Sequence, residues 1–240
     1  AERNIPVITE IELAYNVAKP QHYVAITGTN GKTTTSTLVY ELLAKTFPGK
    51  THLCGNIGIP LCETVLENGL MEEGGHYIAL EISNFQLVNI DRFRPEAAVI
   101  LNLTPDHVDF MGSLDAYYKS KTEVYRNMSG SDLFLLNADD PVLAEYTAKY
   151  PVNCTVRTFS TDRSDTDSCV SGGYVCVNGE KVLPLDLIKI IGKHNLQNII
   201  VAVSIAKAFG VTNEDICSVI ADFRGVEHRI EFVRELNGVK

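Results

Sequence analysis

The feature that most constrains the fold is a glycine-rich loop between an apolar segment and a segment of helical periodicity. The residues are HYVAITGTNGKTTTSTLVYELL, 22–43. The run at 22–27 has the length and apolar character of a buried strand, and Leu38, Leu42 and Leu43 then recur at helical spacing. A strand that turns directly into a helix is the first half of a strand-helix-strand crossover, which joins parallel strands. The loop therefore predicts an α/β fold.

Strand-like segments then alternate with helical segments as far as about residue 160. The further strand candidates are apolar runs, at 50–54, 76–82, 96–103, 132–137 and 155–160. Helical periodicity is found at 60–67, 114–127 and 141–149. Because strands that alternate with helices build doubly wound sheets, we expect mostly parallel strands with helices on both faces.

The pattern changes after Ser160. A polar loop is followed by YVCVNGEKVLPL, in which Asn178 and Gly179 separate two alternating runs, and this is the strongest short signal for a β-hairpin. Helical periodicity returns from His194 to Phe209, and a shorter helix is expected from Thr212 to about Asp222. The fold class is therefore α/β, a mostly parallel sheet flanked by helices, with a small antiparallel β element.

Both ends of the chain have the character of connections. TEIELAYNVAKP (9–20) predicts a short helix that begins with a capping box between Thr9 and Glu12. IEFVRELNGVK (230–240) alternates like a strand and reaches a second Asn-Gly turn at Asn237 and Gly238. We expect the chain to be the middle domain of a longer protein.

Charge and composition exclude several classes of partner. With 21 basic and 30 acidic residues the net charge is −9, which argues against binding to nucleic acid or to an anionic membrane. The six cysteines include no CxxC pair, so a reducing cytoplasm is the better prediction than a disulfide framework or a zinc site. No apolar run approaches the length of a membrane span, and the start lacks the pattern of a signal peptide. We expect a cytoplasmic protein.

The loop GTNGKT (28–33) ends like a phosphate-binding loop but is shorter than the usual one. The common pattern has a glycine where Ile26 lies, and the first glycine here is Gly28. A glycine loop that leads from a strand into a helix directs backbone N–H groups and the helix dipole at an anion. Lys32 would neutralise phosphate oxygens and the Thr33 hydroxyl would reach a phosphate-bound Mg²⁺. The alternative is an ordinary tight turn.

Three further residues follow strands or lie near them. Glu81 ends a strand, where a carboxylate can hold Mg²⁺, although a capping role is the alternative for the segment alone. His107 lies between Asp106 and Asp109, where it could bind a second metal or be a packed histidine. Lys121 lies in a predicted helix, and a solvated lysine is the ordinary expectation there.

Six motifs in this order resemble the Mur ligase family. They are TGTNGKTT (27–34), GNIGIP (55–60), EISNFQL (81–87), LNLTPDHVD (101–109), GKHNLQN (192–198) and GVEHRIE (225–231). The likeness covers residues 20 to 236, and it concerns only the central ATPase domain of a three-domain family. GNIG together with the Phe-Gln of EISNFQL is most similar to the members that add D-glutamate to UDP-N-acetylmuramoyl-L-alanine in peptidoglycan synthesis.

The resemblance implies a role for each matched residue. The phosphate cradle would be Gly28, Thr29, Asn30, Gly31, Lys32, Thr33 and Thr34. Thr33 and Glu81 would hold one Mg²⁺, and His107 would hold a second together with Lys121, which matches a lysine that CO₂ carbamylates. Asn56, Ser83 and Gln86 match positions that face the UDP-sugar, and Asn195, Asn198 and Arg229 match nucleotide-binding positions. One departure is Asn84, where serine is common.

The reaction that the resemblance implies is an ATP-driven amide synthesis. Lys32, Glu81, His107 and Lys121 would be the catalytic residues, and the partners would be UDP-N-acetylmuramoyl-L-alanine and D-glutamate. We expect a monomer in which residues 1–20 are a remnant of an N-terminal connection, 21–225 form the ATP-binding domain, and 226–240 begin the connection to a C-terminal domain. This chain alone is expected to be inactive.

Three alternatives remain from the sequence. Folylpolyglutamate synthetase and other Mur ligases share the glycine loop and the modified lysine, and the GNIG and Phe-Gln pair separates them. A P-loop kinase or GTPase is a different enzyme class, but its base-recognition motif is not evident. A nucleotide-binding module without catalysis is the third.

Overall fold

A computed structural model describes residues 5–106 and 111–226 of the chain, and within them nine strands form one sheet. The strands are β1 (His22–Thr27), β2 (Thr51–Gly55), β3 (Tyr77–Glu81), β4 (Ala97–Ile100), β5 (Gly130–Asn137), β6 (Cys154–Phe159), β7 (Ser168–Ser171), β8 (Tyr174–Val177) and β9 (Glu180–Pro184). Their order across the sheet is β2-β3-β1-β4-β5-β6-β7-β8-β9. The first strand thus lies inside the sheet, with β3 on one side and β4 on the other.

The helices of the described part lie before, between and after these strands in the chain. They are α1 (Glu10–Val17), α2 (Lys32–Thr46), α3 (Leu61–Glu67), α4 (Asn84–Leu87), α5 (Leu114–Thr122), α6 (Pro141–Lys149), α7 (Lys193–Ala208) and α8 (Asn213–Asp222), with short 3₁₀ turns at Glu123–Tyr125 and Leu185–Leu187. None of them combines the length and the apolar character that crossing a membrane requires, as far as the described residues go.

The sheet is parallel from β2 to β7 and antiparallel from β7 to β9. In the central register Val24 lies opposite Ala79 of β3 and Ala97 of β4, both in parallel pairing. The two hairpins at the other edge pair β7 with β8 and β8 with β9. The predicted fold class is therefore confirmed, including the antiparallel element.

Each face of the sheet carries its own apolar core, because successive side chains of a strand point to opposite faces. On one face Val24 and Ile26 of β1 pack with α2, α7 and α8. On the other face Tyr23 and Ala25 pack with α1, α3, α5 and α6. Since both faces are covered, the central strands read as continuous apolar runs and not as alternating ones.

The predicted elements agree with the observed ones except at particular boundaries. The strand expected over 96–103 ends at Ile100, because the next residues bond to the glycine loop. The helix expected over 114–127 is α5 followed by a 3₁₀ turn. The sequence did not predict β7, whose pairing with β6 consists of Phe159 with Ser168. Thr212 caps α8 as expected.

Of the two hydrogen bonds in the predicted capping box of α1, the prediction is right for Thr9 and wrong for Glu12. Thr9 accepts a hydrogen bond from the Glu12 backbone N–H, as expected. The Glu12 carboxylate, however, is fully buried and accepts hydrogen bonds from the backbone N–H groups of Asp91, Arg92 and Phe93. Burial raises the pKa of Glu12, but these bonds outweigh that effect and hold the pKa below its ordinary value. Glu12 therefore anchors α1 to the rest of the domain.

Several predictions fall on residues outside the described ranges. They concern the strand at 230–240, the turn at Asn237 and Gly238, and the site residues His107 and Arg229.

Candidate functional site

The sequence-predicted site residues converge at the carboxyl ends of the central strands. The glycine loop follows β1, Glu81 ends β3, and residues 101–106 follow β4. The helix after β1 packs on one face of the sheet, whereas the helices after β3 and β4 pack on the other. In open α/β sheets such a change of face opens a crevice at the strand ends, and ligands bind there.

The glycine loop is held in shape by the segment that follows β4. The backbone N–H groups of Thr29 and Asn30 donate to the Asn102 backbone carbonyl (3.1 Å) and side-chain Oδ1 (2.9 Å). The Asn102 side chain also donates to the Asn30 carbonyl at 3.0 Å. These two loop N–H groups are thus occupied, contrary to the expectation of an open cradle. The N–H groups of Thr33 and Thr34 lie in the first turn of α2, where a helix has no acceptor of its own to offer.

Two glycines of the loop lie where a side chain would not fit. A Cβ on Gly28 would be 3.0 Å from the Leu101 Cβ, and Gly28 has a φ of +142°. Gly31 has a φ of +87°, and its Cβ would be 2.5 Å from the side-chain oxygen of Asn198 on α7. The glycine pattern therefore reflects the close approach of the segment after β4, and of α7, to the loop.

Lys32 is the first residue of α2, and its side chain extends back towards the glycine loop. Its ammonium donates to the carbonyl oxygens of Gly28 at 3.0 Å and Thr29 at 2.9 Å. The charge is thereby held at the mouth of the loop, within reach of a group that binds there. This position agrees with the predicted role of Lys32 beside phosphate oxygens.

Thr33, Glu81 and Asn56 form one hydrogen-bonded group. The Thr33 hydroxyl donates to one oxygen of Glu81 at 2.8 Å, and the Asn56 amide donates to the other at 2.9 Å. Glu81 is 3% exposed and does not cap a helix. A buried carboxylate that is placed beside a P-loop hydroxyl supplies the oxygen ligands that Mg²⁺ uses next to a bound phosphate.

Lys121 is buried, which the sequence alone did not suggest. It is 1% exposed, its Nζ donates to the Gly28 carbonyl at 3.0 Å, and it lies 4.8 Å from the centre of the Tyr117 ring. Burial, and then the positive charge of Lys32, lower the pKa of Lys121 to about 7 although Asp106 raises it. The amine is therefore available in its neutral, nucleophilic form near pH 7.

A cavity of about 120 Å³ lies beside Lys32, Asn56 and Lys121. It is lined by Thr29, Lys32, Asn56, Ser83, Asn84, Phe85, Asp106, Tyr117 and Lys121. The Tyr117 hydroxyl is 3.2 Å from the Thr29 hydroxyl, so α5 is tied to the glycine loop. The lining has two lysines and several donors, and this chemistry suits an anionic ligand.

Gln86 does not line the cavity. Its side-chain oxygen accepts from the N–H and the hydroxyl of Ser83, both at 3.0 Å, and its amide donates to Glu10 of α1 at 3.2 Å. Ser83 and Gln86 form the capping box of α4. A direct substrate contact for Gln86 stays a prediction, and its observed action is to orient Ser83.

The two described asparagines assigned to the nucleotide lie near the start of α7. Asn198 is 5% exposed and faces Gly31. Asn195 is half-buried, and its amide donates to the Ile191 carbonyl at 2.8 Å. Gly192 is the N-cap of α7, which therefore begins one residue before His194. Asn198 thus reaches the glycine loop, whereas Asn195 bonds to its own helix start.

The donors present fit Mg²⁺ better than a metal held by protein ligands alone. Across residues 5–106 and 111–226, no group of three or more His, Cys, Asp or Glu side chains is arranged to hold a metal ion. Mg²⁺ is usually bound through one or two carboxylates with phosphate and water completing the shell. Glu81 and Thr33 match that requirement.

Sequence reasoning missed three residues of the site. Asn102 fixes the loop, Tyr117 packs on Lys121, and Asn84 lines the cavity. Asn102 could have been found, since it lies in the LNLTPD segment already noted. Tyr117 lies four residues before Lys121, one helical turn away, so that spacing was a usable signal.

Comparison with known proteins agrees with this geometry. The Mur ligase middle domain family matches residues 26–206. The "UDP-N-acetylmuramoylalanine--D-glutamate ligase" of Geobacillus kaustophilus (strain HTA426) is 40% identical over 238 residues, 99% of this chain and 51% of that protein. The protein of the same name from Thermoanaerobacter pseudethanolicus (strain ATCC 33223 / 39E) is 40% identical over 244 residues, with 100% and 52% covered.

A solved structure of MurF from Acinetobacter baumannii has the same fold, with a TM-score of 0.71 at 21% identity over 95% of this chain and 51% of that one. This chain spans about half the length of the curated relatives it matches. The family match covers most of the strands and helices that build the site. The chain therefore belongs to the Mur ligase family, and it corresponds to the family's middle domain.

Proposed function

We propose that this chain is the nucleotide-binding part of an ATP-dependent ligase that joins D-glutamate to UDP-N-acetylmuramoyl-L-alanine in peptidoglycan synthesis. The observation that carries the proposal is that Lys32 and buried Lys121 line one cavity, beside the buried Thr33–Glu81 pair that Asn56 of the cavity lining holds by a hydrogen bond. The substrates are inferred from the names of the curated relatives. In the domain arrangement proposed here, residues 21–225 form the ATP-binding unit of a monomeric enzyme.

The proposed reaction has two steps. The carboxylate of UDP-N-acetylmuramoyl-L-alanine attacks the γ-phosphorus of ATP, which forms an acyl phosphate and releases ADP. The amine of D-glutamate then attacks the acyl carbon, the C–O bond to phosphate breaks, and inorganic phosphate and the amine proton leave. Cleavage of ATP to ADP and inorganic phosphate thereby drives amide formation.

This chain's residues would act by positioning and by charge. Lys32 and the N–H groups at the start of α2 would hold the β- and γ-phosphates, and Asn198 would hold the loop against α7. Thr33 and Glu81 would hold Mg²⁺, which supplies charge neutralisation at the transferred phosphoryl group. Preorganised charges of this type need no protein nucleophile.

Lys121 is proposed to carry a carbamate. Its neutral amine attacks the carbon of CO₂, a C–N bond forms, and one proton is released to solvent, which leaves a carboxylate on the side chain. The lowered pKa and the buried position beside Lys32 support this reaction, because a negative group there would be attracted to Lys32 whereas an ammonium is repelled. The carbamate and His107 would hold a second Mg²⁺.

The test is a calorimetric titration of this chain with Mg²⁺-ATP. Lys32→Ala should weaken binding on the order of 100-fold, because hydrogen bonds to charged groups contribute up to about 3 kcal/mol. Lys45→Ala is the matched control, since Lys45 is exposed in the last turn of the same helix and should bind as the parent does. Circular dichroism verifies that both variants fold. Equal affinity of Lys32→Ala and the parent would rule out the phosphate-cradle assignment.

A further inference from the structure

Asn84 lines the cavity and carries a buried side-chain donor that no described residue uses. It begins α4, is 3% exposed and lines the cavity together with Lys32 and Lys121. Its side-chain Nδ2 is buried and makes no hydrogen bond in the structure as described. Of the buried polar atoms that lack a partner in those ranges, it is the one that belongs to a residue of this cavity.

A buried amide without a partner is energetically costly. Leaving a buried donor unsatisfied costs about 1–3 kcal/mol, so such groups call for an explanation. The neighbouring Ser83 and Gln86 are satisfied by their capping box, so the open bond is specific to Asn84. A ligand atom in the cavity that accepts a hydrogen bond would remove this cost.

The surroundings define the chemistry of that acceptor. Two lysines line the cavity, and Asp106 is the carboxylate among its lining residues. The Gly28 carbonyl accepts hydrogen bonds from the Nζ groups of both lysines, at 3.0 Å each. An acceptor that bears negative charge suits the lysines and the amide at once, and a charge-assisted hydrogen bond is about twice as strong as a neutral one.

We propose that Asn84 Nδ2 donates a hydrogen bond to an oxyanion that occupies this cavity, and that Asn84 thereby positions the reacting group. The inference rests on the proposed function and adds a residue to it. Two oxyanions have suitable chemistry, the terminal phosphoryl group of ATP and the carboxylate formed on Lys121. A serine at this position would carry its hydroxyl one bond closer to the backbone than Nδ2 lies.

Three variants of this chain test the proposal. Asn84→Ala removes the donor, Asn84→Asp keeps the shape but presents a negative charge, and Asn84→Ser shortens the donor. Asn68→Asp is the charge control, since Asn68 is exposed at the end of α3. Because Nδ2 is unpartnered without ligand, the thermal midpoint of ligand-free Asn84→Ala should equal or exceed that of the parent.

Two measurements distinguish the two oxyanions. The first is the ratio of the dissociation constants for Mg²⁺-ADP and Mg²⁺-ATP, since ADP lacks the terminal phosphoryl group. The second is the carbamate signal in ¹³C NMR of the nucleotide-free chain with ¹³C-bicarbonate. If the phosphoryl group is the acceptor, Asn84→Ala lowers the ATP preference about 10-fold and leaves the carbamate unchanged. If the carbamate is the acceptor, its occupancy falls and the ratio stays the same.

Whichever oxyanion is the acceptor, Asn84→Asp should change the corresponding measurement more than Asn84→Ala does. Asn84→Ser should change it less than Asn84→Ala does. The proposal is overturned if folded Asn84→Ala and Asn84→Asp match the parent in both measurements. A parent chain that binds no Mg²⁺-ATP would contradict the proposed function, whereas the carbamate measurement would still decide the role of Asn84. A parent with neither ATP binding nor a carbamate would overturn both.

Discussion

At the scale of single residues, the protonation of Lys121 is set mainly by its burial and not by its neighbours in the sequence. A lysine on an exposed helix face is protonated at neutral pH, but this one has lost nearly all its contact with water. The partners that the structure gives its amine are a carbonyl and an aromatic ring, and burial and nearby Lys32 lower its pKa more than Asp106 raises it. Such an environment favours the neutral amine and therefore reaction with CO₂.

The cost of this burial is testable through stability. Replacing Lys121 by methionine should stabilise the fold in CO₂-free buffer by up to about 5 kcal/mol, at about 1.4 kcal/mol per pKa unit. The folded pKa of about 7 lies below the unfolded 10.5, so the unfolded state binds more protons between these values. The stability of the parent therefore rises with pH across that window. The gain from methionine should be largest below pH 7 and should fade towards pH 10.5.

Urea unfolding at pH 6 and pH 9.5 measures this difference. Lys119→Met is the control, because Lys119 is exposed on the same helix and should change stability little at either pH. A destabilised Lys121→Met at pH 6 would mean that the bond to Gly28 and the contact with Tyr117 outweigh desolvation.

At the scale of elements, the site depends on how α2 and α7 meet. Gly31 is the N-cap of α2, and Asn198 lies against that glycine from the second turn of α7. The loop is therefore held between α7 and the segment after β4. A side chain at Gly31 would therefore disturb both the glycine loop and the neighbouring Asn198.

Alanine at Gly31 should destabilise the fold in two ways, through its positive φ and through the displacement of Asn198, and a control glycine can separate the two costs. Alanine at a positive φ costs about 1–2 kcal/mol, and displacing Asn198 should add about 1–3 kcal/mol of overpacking. Gly49→Ala is the matched control, since Gly49 has a φ of +74° and open space around its Cβ position. We expect Gly31→Ala to lose more stability in thermal unfolding and to bind Mg²⁺-ATP more weakly. Equal losses in the two variants would show that Asn198 moves aside freely.

At the scale of the whole molecule, both faces of the sheet are covered by helices of the same chain, so the candidate site rests on a closed core. The chain nevertheless spans about half the length of its curated relatives. Catalysis by alignment requires that both reactants are held, and good alignment is worth roughly 7–11 kcal/mol of the barrier. We infer that this core binds nucleotide but does not align the two substrates.

This chain should therefore bind Mg²⁺-ATP without making the amide. Release of inorganic phosphate should be near background and should not increase when UDP-N-acetylmuramoyl-L-alanine and D-glutamate are added. A phosphate-release assay with mass spectrometry of the product measures both. Turnover on the order of 10 per second, typical of an enzyme, would show that the 240 residues contain a complete site.

Local patterns in the sequence determined the elements and the glycine loop. Apolar runs, helical spacing and the Asn-Gly turn at Asn178 depend on neighbours along the chain, so they predicted the described strands other than β7, most helices and the hairpin. The family motifs then predicted Lys32, Thr33, Glu81 and Lys121 as one site. Those four residues do lie together at the carboxyl ends of the strands.

Only the tertiary structure decided how distant residues act on that site. Asn102 fixes the loop from 72 positions away, and Glu12 turns from its expected cap to three N–H groups about 80 positions away. Burial removes water from Lys121 and leaves Asn84 Nδ2 without a partner. Hydrogen-bond satisfaction and desolvation depend on what packs around a group in space. Periodicity along the chain carries no record of those neighbours, and so these roles became visible only in the folded domain.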